Sequence, residues 1–139
     1  MFGQQEFKFP YLFEEDPAGD EKFHLLHCDK IGHVVRYSVA ANGGFTAADT
    51  NNFDVDLLDG GAAGAGTDVI AGYNGAATGG TGTLADTDPR EPSITDTKED
   101  ADDELILHYD ENGSGPGTSP ASICVGVGFL EGDPAGVLT

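Results

Sequence analysis

Ile123-Cys124-Val125-Gly126-Val127-Gly128-Phe129 decides the fold class, with a branched or aromatic residue at each odd position and a small one at each even position. A period of two marks an extended chain that buries one face. Phe53-Asp54-Val55-Asp56-Leu57 repeats the pattern upstream with acids on the outer face, and Leu58 finishes the run. Val34-Val35-Arg36-Tyr37-Ser38-Val39 and Leu105-Ile106-Leu107-His108-Tyr109 carry the β-branched and aromatic residues that half-buried strands favour. Phe23 to Cys28, His33 to Ala41 and Val69 to Tyr73 read as strands too. Turn chemistry separates them: Asn42-Gly43-Gly44, Gly60 to Gly66, Asn74 to Thr83 and Asp110 to Pro120. The two glycine-rich stretches, 60–66 and 74–83, read as mobile loops. No stretch has a persuasive helical period. About seven or eight short strands between turns predict an all-β fold, an antiparallel β-sandwich of jelly-roll-like type.

The N-terminus differs from the body. Phe7, Phe9, Tyr11 and Phe13 alternate with Lys8, Pro10 and Leu12, and with Phe2 they make five of the twelve aromatic residues. Pro10 cannot donate to a ladder, so this segment is an edge strand or an extended arm. Glu14 to Asp20 follows as an acidic turn. Residues 1–20 are therefore read as an arm and acidic turn, and 21–139 as the sandwich domain. An aromatic extended segment suits strand addition or groove filling on a partner, which makes Phe2, Phe7, Phe9, Tyr11 and Phe13 the candidate binding residues.

Charge narrows the partners. With 25 acids against 6 basic residues, the formal net charge is −19. That repels nucleic-acid phosphates and anionic membrane surfaces, so neither is an expected partner. No apolar run approaches the ~20 residues that span a bilayer. Met1 to Pro10 shows no basic segment leading into an apolar one, so no secretory signal is expected. Leu, Ile, Val and Phe supply 31 of 139 residues, close to the fraction below which acidic chains stay unfolded. Their bunching into runs favours a thin two-layer core.

Side chains for chemistry are scattered. No Gly-x-Ser-x-Gly occurs, and His27 beside Cys28 would point to the opposite face of a strand. His24, His27, Cys28 and His33 crowd ten residues without the spacing of a zinc knuckle, and strand parity puts His24 and Cys28 on one face and His27 on the other. Asp96, Glu99, Asp100, Asp102, Asp103 and Glu104 lack a calcium-loop pattern and read as a solvated face. No metal, no cofactor and no enzymatic activity are expected. Cys28 and Cys124 read as small buried hydrophobes, the alternative being one bridge between an early strand and the last.

Several blocks carry a resemblance. They are Val35 to Thr46, Asp49 to Phe53, Asp102 to Leu107, Gly113 to Gly117 and Ser122 to Val127. From His33 onward the chain resembles small tailed-bacteriophage virion proteins that decorate or cement the capsid. Asp103-Glu104-Leu105 stands where similar proteins carry a Gly-Asp-Val-Leu-like step. The resemblance implies a β-sandwich on the outer capsid surface, made in the host cytoplasm, bound to the major capsid protein and able to form homo-oligomers. The alternative is a carbohydrate-binding sandwich or fibre head, against which the absence of Trp counts.

Overall fold

The computed structural model describes residues 5–8, 11–14, 21–86, 88–95, 98–113 and 122–132, with backbone alone for 5–8, 11–14 and 122. The chain is all-β among these residues. Its strands are β1 (Gln5–Lys8), β2 (Tyr11–Glu14), β3 (Glu21–His27), β4 (Gly32–Asn42) and β5 (Asn52–Asp59), then β6 (Asp68–Asn74), β7 (Lys98–Glu99), β8 (Glu104–Asn112) and β9 (Ser122–Glu131). They form two antiparallel sheets, β1/β2-β9-β4-β7 and β3-β8-β5-β6.

The pairings β2–β9, β3–β8, β4–β7 and β5–β6 are nested one inside the next. A chain doubled back on itself as one long hairpin and then rolled gives this order. Contacts β4–β9 and β5–β8 sew the roll into its two sheets. This is the jelly-roll rule, and the sandwich expected from alternation is what the chain builds.

The alternating runs do the work anticipated for them. Val34, Tyr37, Val39 and Ala41 of β4 and Ile123, Val125, Val127 and Phe129 of β9 face the core. Opposite them stand Phe53, Val55 and Leu57 of β5, Tyr73 of β6 and Leu105, Leu107 and Tyr109 of β8. Phe53 is the centre, with ring centroids 4.8 Å from Phe45, 5.3 Å from Tyr73 and 5.7 Å from Tyr109. The Tyr37 hydroxyl crosses the interior to donate to the Val55 carbonyl, so this buried polar group is satisfied.

Three details depart from the sequence reading. First, β1 and β2 keep one register along β9 from Gln5↔Glu131 to Glu14↔Ser122, so both lie along the same edge of the five-stranded sheet. Phe7, Tyr11 and Phe13 pair with Phe129, Val125 and Ile123, while their side chains, and Phe2 and Phe9 altogether, lie outside the described residues. Second, the two glycine-rich loops are tied down. Gly60 N–H donates to the Glu104 carbonyl, Glu104 N–H to Gly61 and Gly66 N–H to Gly60. In the second loop the Asp49 carboxylate accepts Thr78 N–H at 2.6 Å and its hydroxyl at 2.9 Å, which holds Asp49 below the usual carboxylate range. Third, Cys124 is exposed rather than buried, and both cysteines are free thiols. Cys124 sits between Ile123 and Val125 on a strand, so the alternation that buries its neighbours turns it outward.

The polar stretch after Leu84 is an edge cover. Leu84 bridges Phe45, Arg90 bridges Val39, and Lys98 and Glu99 pair with His33 and Gly32. Thr95 N–H donates to the Ile70 carbonyl of the other sheet, so the segment closes one side of the sandwich across both edges.

Candidate functional site

The chemistry gathers at one end of the four-stranded sheet, where a β-bulge decides which side chains meet. Between β3 and β8 the register runs Phe23↔Leu107 and His24↔Ile106, then skips to Leu26↔Leu105 and His27↔Glu104. Leu25 is the extra residue. The skip shifts strand parity by one. His24 and His27 therefore come out on the same face, and Cys28 turns inward, where it is 2 % exposed. This overturns the expected pairing of His24 with Cys28.

Both imidazoles meet Glu104, the first residue of β8. His27 Nδ1 lies 2.7 Å from Oε1 and His24 Nδ1 lies 3.8 Å from Oε2. The Glu104 hydrogen bond holds His27 above its ordinary value, partial desolvation opposes this, and the charges of Glu104, Asp29 and Asp102 add to the rise. His27 Nε2 faces Asp102 Oδ1 at 3.7 Å. Asp102 is placed there by the β7–β8 turn, at φ +74°, with its N–H on the Cys28 carbonyl at 2.7 Å. Cys28 N–H in turn donates to the Asp103 carbonyl at 2.8 Å. The glycine-rich 60–66 loop forms the wall beside the pair: a Cβ on Gly64 would stand 3.1 Å from His24 Cε1 and 3.6 Å from Glu104 Cγ.

Behind this pair lies a second group. Ligand oxygens of Asp59, Glu99 and Asp103 are within 4.8 Å of one another, and Glu99 is fully buried. Asp59 also accepts Gly61 N–H at 2.8 Å, and Asp103 accepts Asp100 N–H at 2.8 Å. Oxygen donors this close suit a hard cation. They also act on Cys28. Burial, then the charges of Glu99, Asp103, Asp59 and Glu104, push its thiol up to about 12. A thiol so disposed is not a nucleophile at neutral pH.

A cavity of about 240 Å³ opens next to His27, floored by Leu26, Cys28 and Phe129. Lys30 and Glu131 on its rim pair at 3.6 Å.

The sequence reading grouped the residues of this region differently. Asp102, Asp103 and Glu104 do not form one solvated face: they divide between the histidines and the inner carboxylates. His33 stands apart on β4, opposite Lys98. Asp100 pairs with Lys98 at 3.1 Å, and Asp96 lies outside the described residues. Asp59 was missed because it is 40 residues from Glu99, and only the jelly-roll wrap brings them together.

No protein-family model, no curated protein and no solved structure matches this chain.

Proposed function

We propose that this protein is a structural component of a tailed-phage virion, bound to the outer surface of the capsid as a decoration or cement protein that joins or stabilises capsid subunits. The sequence blocks that resemble such proteins support the reading. Jelly rolls serve in capsids and in sugar-binding domains alike, so the fold is compatible with it without choosing it. The observation that carries it is the N-terminal edge strand. Among the described residues it is laid along β9 as two four-residue pieces, Gln5–Lys8 and Tyr11–Glu14. An edge strand held by one ladder is the element most readily shared with a neighbouring protein. High net charge keeps such a protein soluble at the density of a coated surface.

The test is co-sedimentation of the full chain with purified capsids of its own phage lacking this protein. Saturable retention of the full chain is expected, with strong loss when residues 1–14 are removed. Failure of the full chain to sediment with capsids overturns the reading.

A further inference from the structure

We propose that Asn42-Gly43, at the end of β4, is a self-modification site at which the protein converts Asn42 to aspartate and isoaspartate through a cyclic imide. The site goes beyond the capsid reading and uses nothing of the N-terminal strand.

Such a ring closes most readily at Asn-Gly, because glycine puts no side chain in the way of its own nitrogen. The chain has three of these dipeptides, Asn42-Gly43, Asn74-Gly75 and Asn112-Gly113. The fold restrains two of them. Asn74 Oδ1 accepts Ala76 N–H at 2.8 Å, and Gly75 N–H, which carries the attacking nitrogen, donates to the Phe53 carbonyl at 3.0 Å. Asn112 Nδ2, the leaving group, donates to Asn52 Oδ1 at 2.8 Å, and Asn52 is 3 % exposed. A Cβ on Gly113 would stand 2.2 Å from the Thr50 carbonyl oxygen, so the backbone there is wedged in place.

Asn42 is held far less. Asn42 and Gly43 are both exposed. Gly44 N–H donates to the Ala41 carbonyl at 3.1 Å, which closes a four-residue turn with Asn42 and Gly43 at its centre. Gly43 has φ +91° and Asn42 has no positive φ, so the turn is of type II. That turn keeps the Gly43 nitrogen away from Asn42 Cγ, and ring closure requires the peptide between them to swing round. Two glycines in succession, Gly43 and Gly44 at φ +91° and +75°, let the chain follow. One side-chain hydrogen bond opposes the swing, from Gly43 N–H to Asp86 Oδ1 at 2.7 Å, and it lies on the surface. Asp86 is thus a latch. Releasing it is a local opening, which costs less than freeing Gly75 from β5.

In the open form the Gly43 nitrogen gives its proton to a solvent base and attacks Asn42 Cγ. The N–Cγ bond forms, the Cγ–Nδ2 bond breaks and ammonia leaves. Water then opens the imide at either carbonyl, giving aspartate or an isoaspartate whose chain runs through the former side chain. Either product sets a new carboxylate near Asp86, and their repulsion opposes re-closing of the latch. The edge cover, joined to the sheet at Leu84↔Phe45 and Arg90↔Val39, then loses one of its ties.

The test is peptide mass spectrometry of the full chain aged at mildly alkaline pH, folded and in denaturant. In the folded chain Asn42 should convert at least about tenfold faster than Asn74 or Asn112. In denaturant the three should convert at similar rates, which makes the fold and not the dipeptide the cause of the order. Asp86→Ala should speed conversion at Asn42 severalfold and leave the other two unchanged, with a melting curve to check that the variant is folded. The converted fraction, separated by anion exchange, should exchange its Leu84 and Arg90 amides faster than the parent. Equal rates at the three sites of the folded chain overturn the proposal. So does an intact Asn42 over a period in which the denatured chain converts. An unchanged rate in Asp86→Ala removes the latch, and unchanged amide exchange removes the loosening of the edge cover.

Discussion

On the outer face of the five-stranded sheet, β4 and β9 present Ser38, Ala40, Cys124 and Gly126; on the outer face of the four-stranded sheet, β5 and β8 present Asp54, Asp56, His108 and Asp110. The register makes both assignments. Ala40 pairs with Cys124 and Ser38 with Gly126, while Asp54 pairs with Asp110 and Asp56 with His108. Both sheets bury their alternate residues in the same core. They differ in what the other half of the alternation carries. Positions 36–42 and 122–128 hold no carboxylate, although the chain carries 25 acids. The inner residues of a strand set the fold, and the outer residues are free to set its charge. Here the β4 and β9 stretches 36–42 and 122–128 are small and uncharged except at Arg36, which donates to Glu91 at 2.9 Å. The other is crowded with titratable groups.

The faces also differ in cover, and that difference gives the largest expected effect. Leu58 and Ile106 point outward from the four-stranded sheet, yet they are 3 % and 2 % exposed. The 60–66 loop lies over Ile106: a Cβ on Gly60 would stand 2.6 Å from its Cδ1. This makes a small second core outside the sandwich. Ile106→Ala should destabilise by at least about 2 kcal/mol. Cys124→Ala, at an unroofed position on the other sheet, should stay within about 0.5 kcal/mol. Denaturant melts of the two variants measure both. Equal costs would break the comparison.

The next effect is a pH dependence confined to the acidic face. Burial pushes Asp56 up to about 6, with repulsion from Asp54 and Asp110 adding and His108 opposing. Burial also raises Asp54, against hydrogen bonds from Asn112 and Gly75. A carboxyl raised in the folded state takes up its proton there before the unfolded chain does. Stability should therefore rise as pH falls from about 7 through 6, and the gain is complete near the ordinary value of 3.8. His27, also raised, works in the same direction: its contribution is full below its ordinary 6.5 and fades as pH rises through the raised value. Asp56→Asn separates the two. Partial exposure screens the Asp56 penalty to about 1 kcal/mol, so the variant should melt roughly 3 °C higher at pH 7.5. It should also flatten the rise toward acid. A wild-type melting temperature that falls from pH 7 to 5 would contradict the assignment.

These contrasts show what the sequence made legible. Period-two runs such as Ile123 to Phe129 announced their strands, because burial of one face is a local property of an extended chain. Pro10 left an edge strand and an extended arm both open, because a missing ladder donor suits either. The Leu25 bulge was not legible: nothing local distinguishes a strand that skips a residue from one that does not, and the skip reverses which histidines meet. The 60–66 loop looked mobile because its composition allows motion. Its partner, Glu104, lies more than 35 residues on, and a hydrogen bond over that separation leaves no trace in composition. The same holds for Asp59 with Glu99. Cys124 was legible and misread, since the alternation that revealed its strand also turned it outward.

The smallest effect tests the comparison at single glycines. Gly126 on β9 and Gly72 on β6 both sit inside strands, where glycine costs about 0.5–1 kcal/mol relative to alanine through the freedom of the unfolded chain. Neither has a positive φ, so alanine is not barred by the backbone. What each Cβ would meet differs. At Gly126 it would stand 2.7 Å from Ser38 Oγ, a hydroxyl that can turn to another rotamer. At Gly72 it would stand 2.2 Å from Asp56 Oδ1, a carboxylate hemmed in by Asp54 and Asp110. Displacing the hydroxyl costs little, so Gly126→Ala should be near neutral. With Ser38→Ala alongside, the obstruction is gone and the pair should gain about 0.5 kcal/mol. The carboxylate is part-buried and crowded, so displacing it costs more than turning a hydroxyl, and Gly72→Ala should lose about 1 kcal/mol at neutral pH. That loss should shrink at about pH 5, where Asp56 is protonated. A double-mutant cycle of Gly126→Ala with Ser38→Ala isolates the steric part, because the two residues are direct cross-strand neighbours. If Gly72→Ala and Gly126→Ala shift stability equally at both pH values, the charge crowding assigned to the acidic face is not what separates the two sheets.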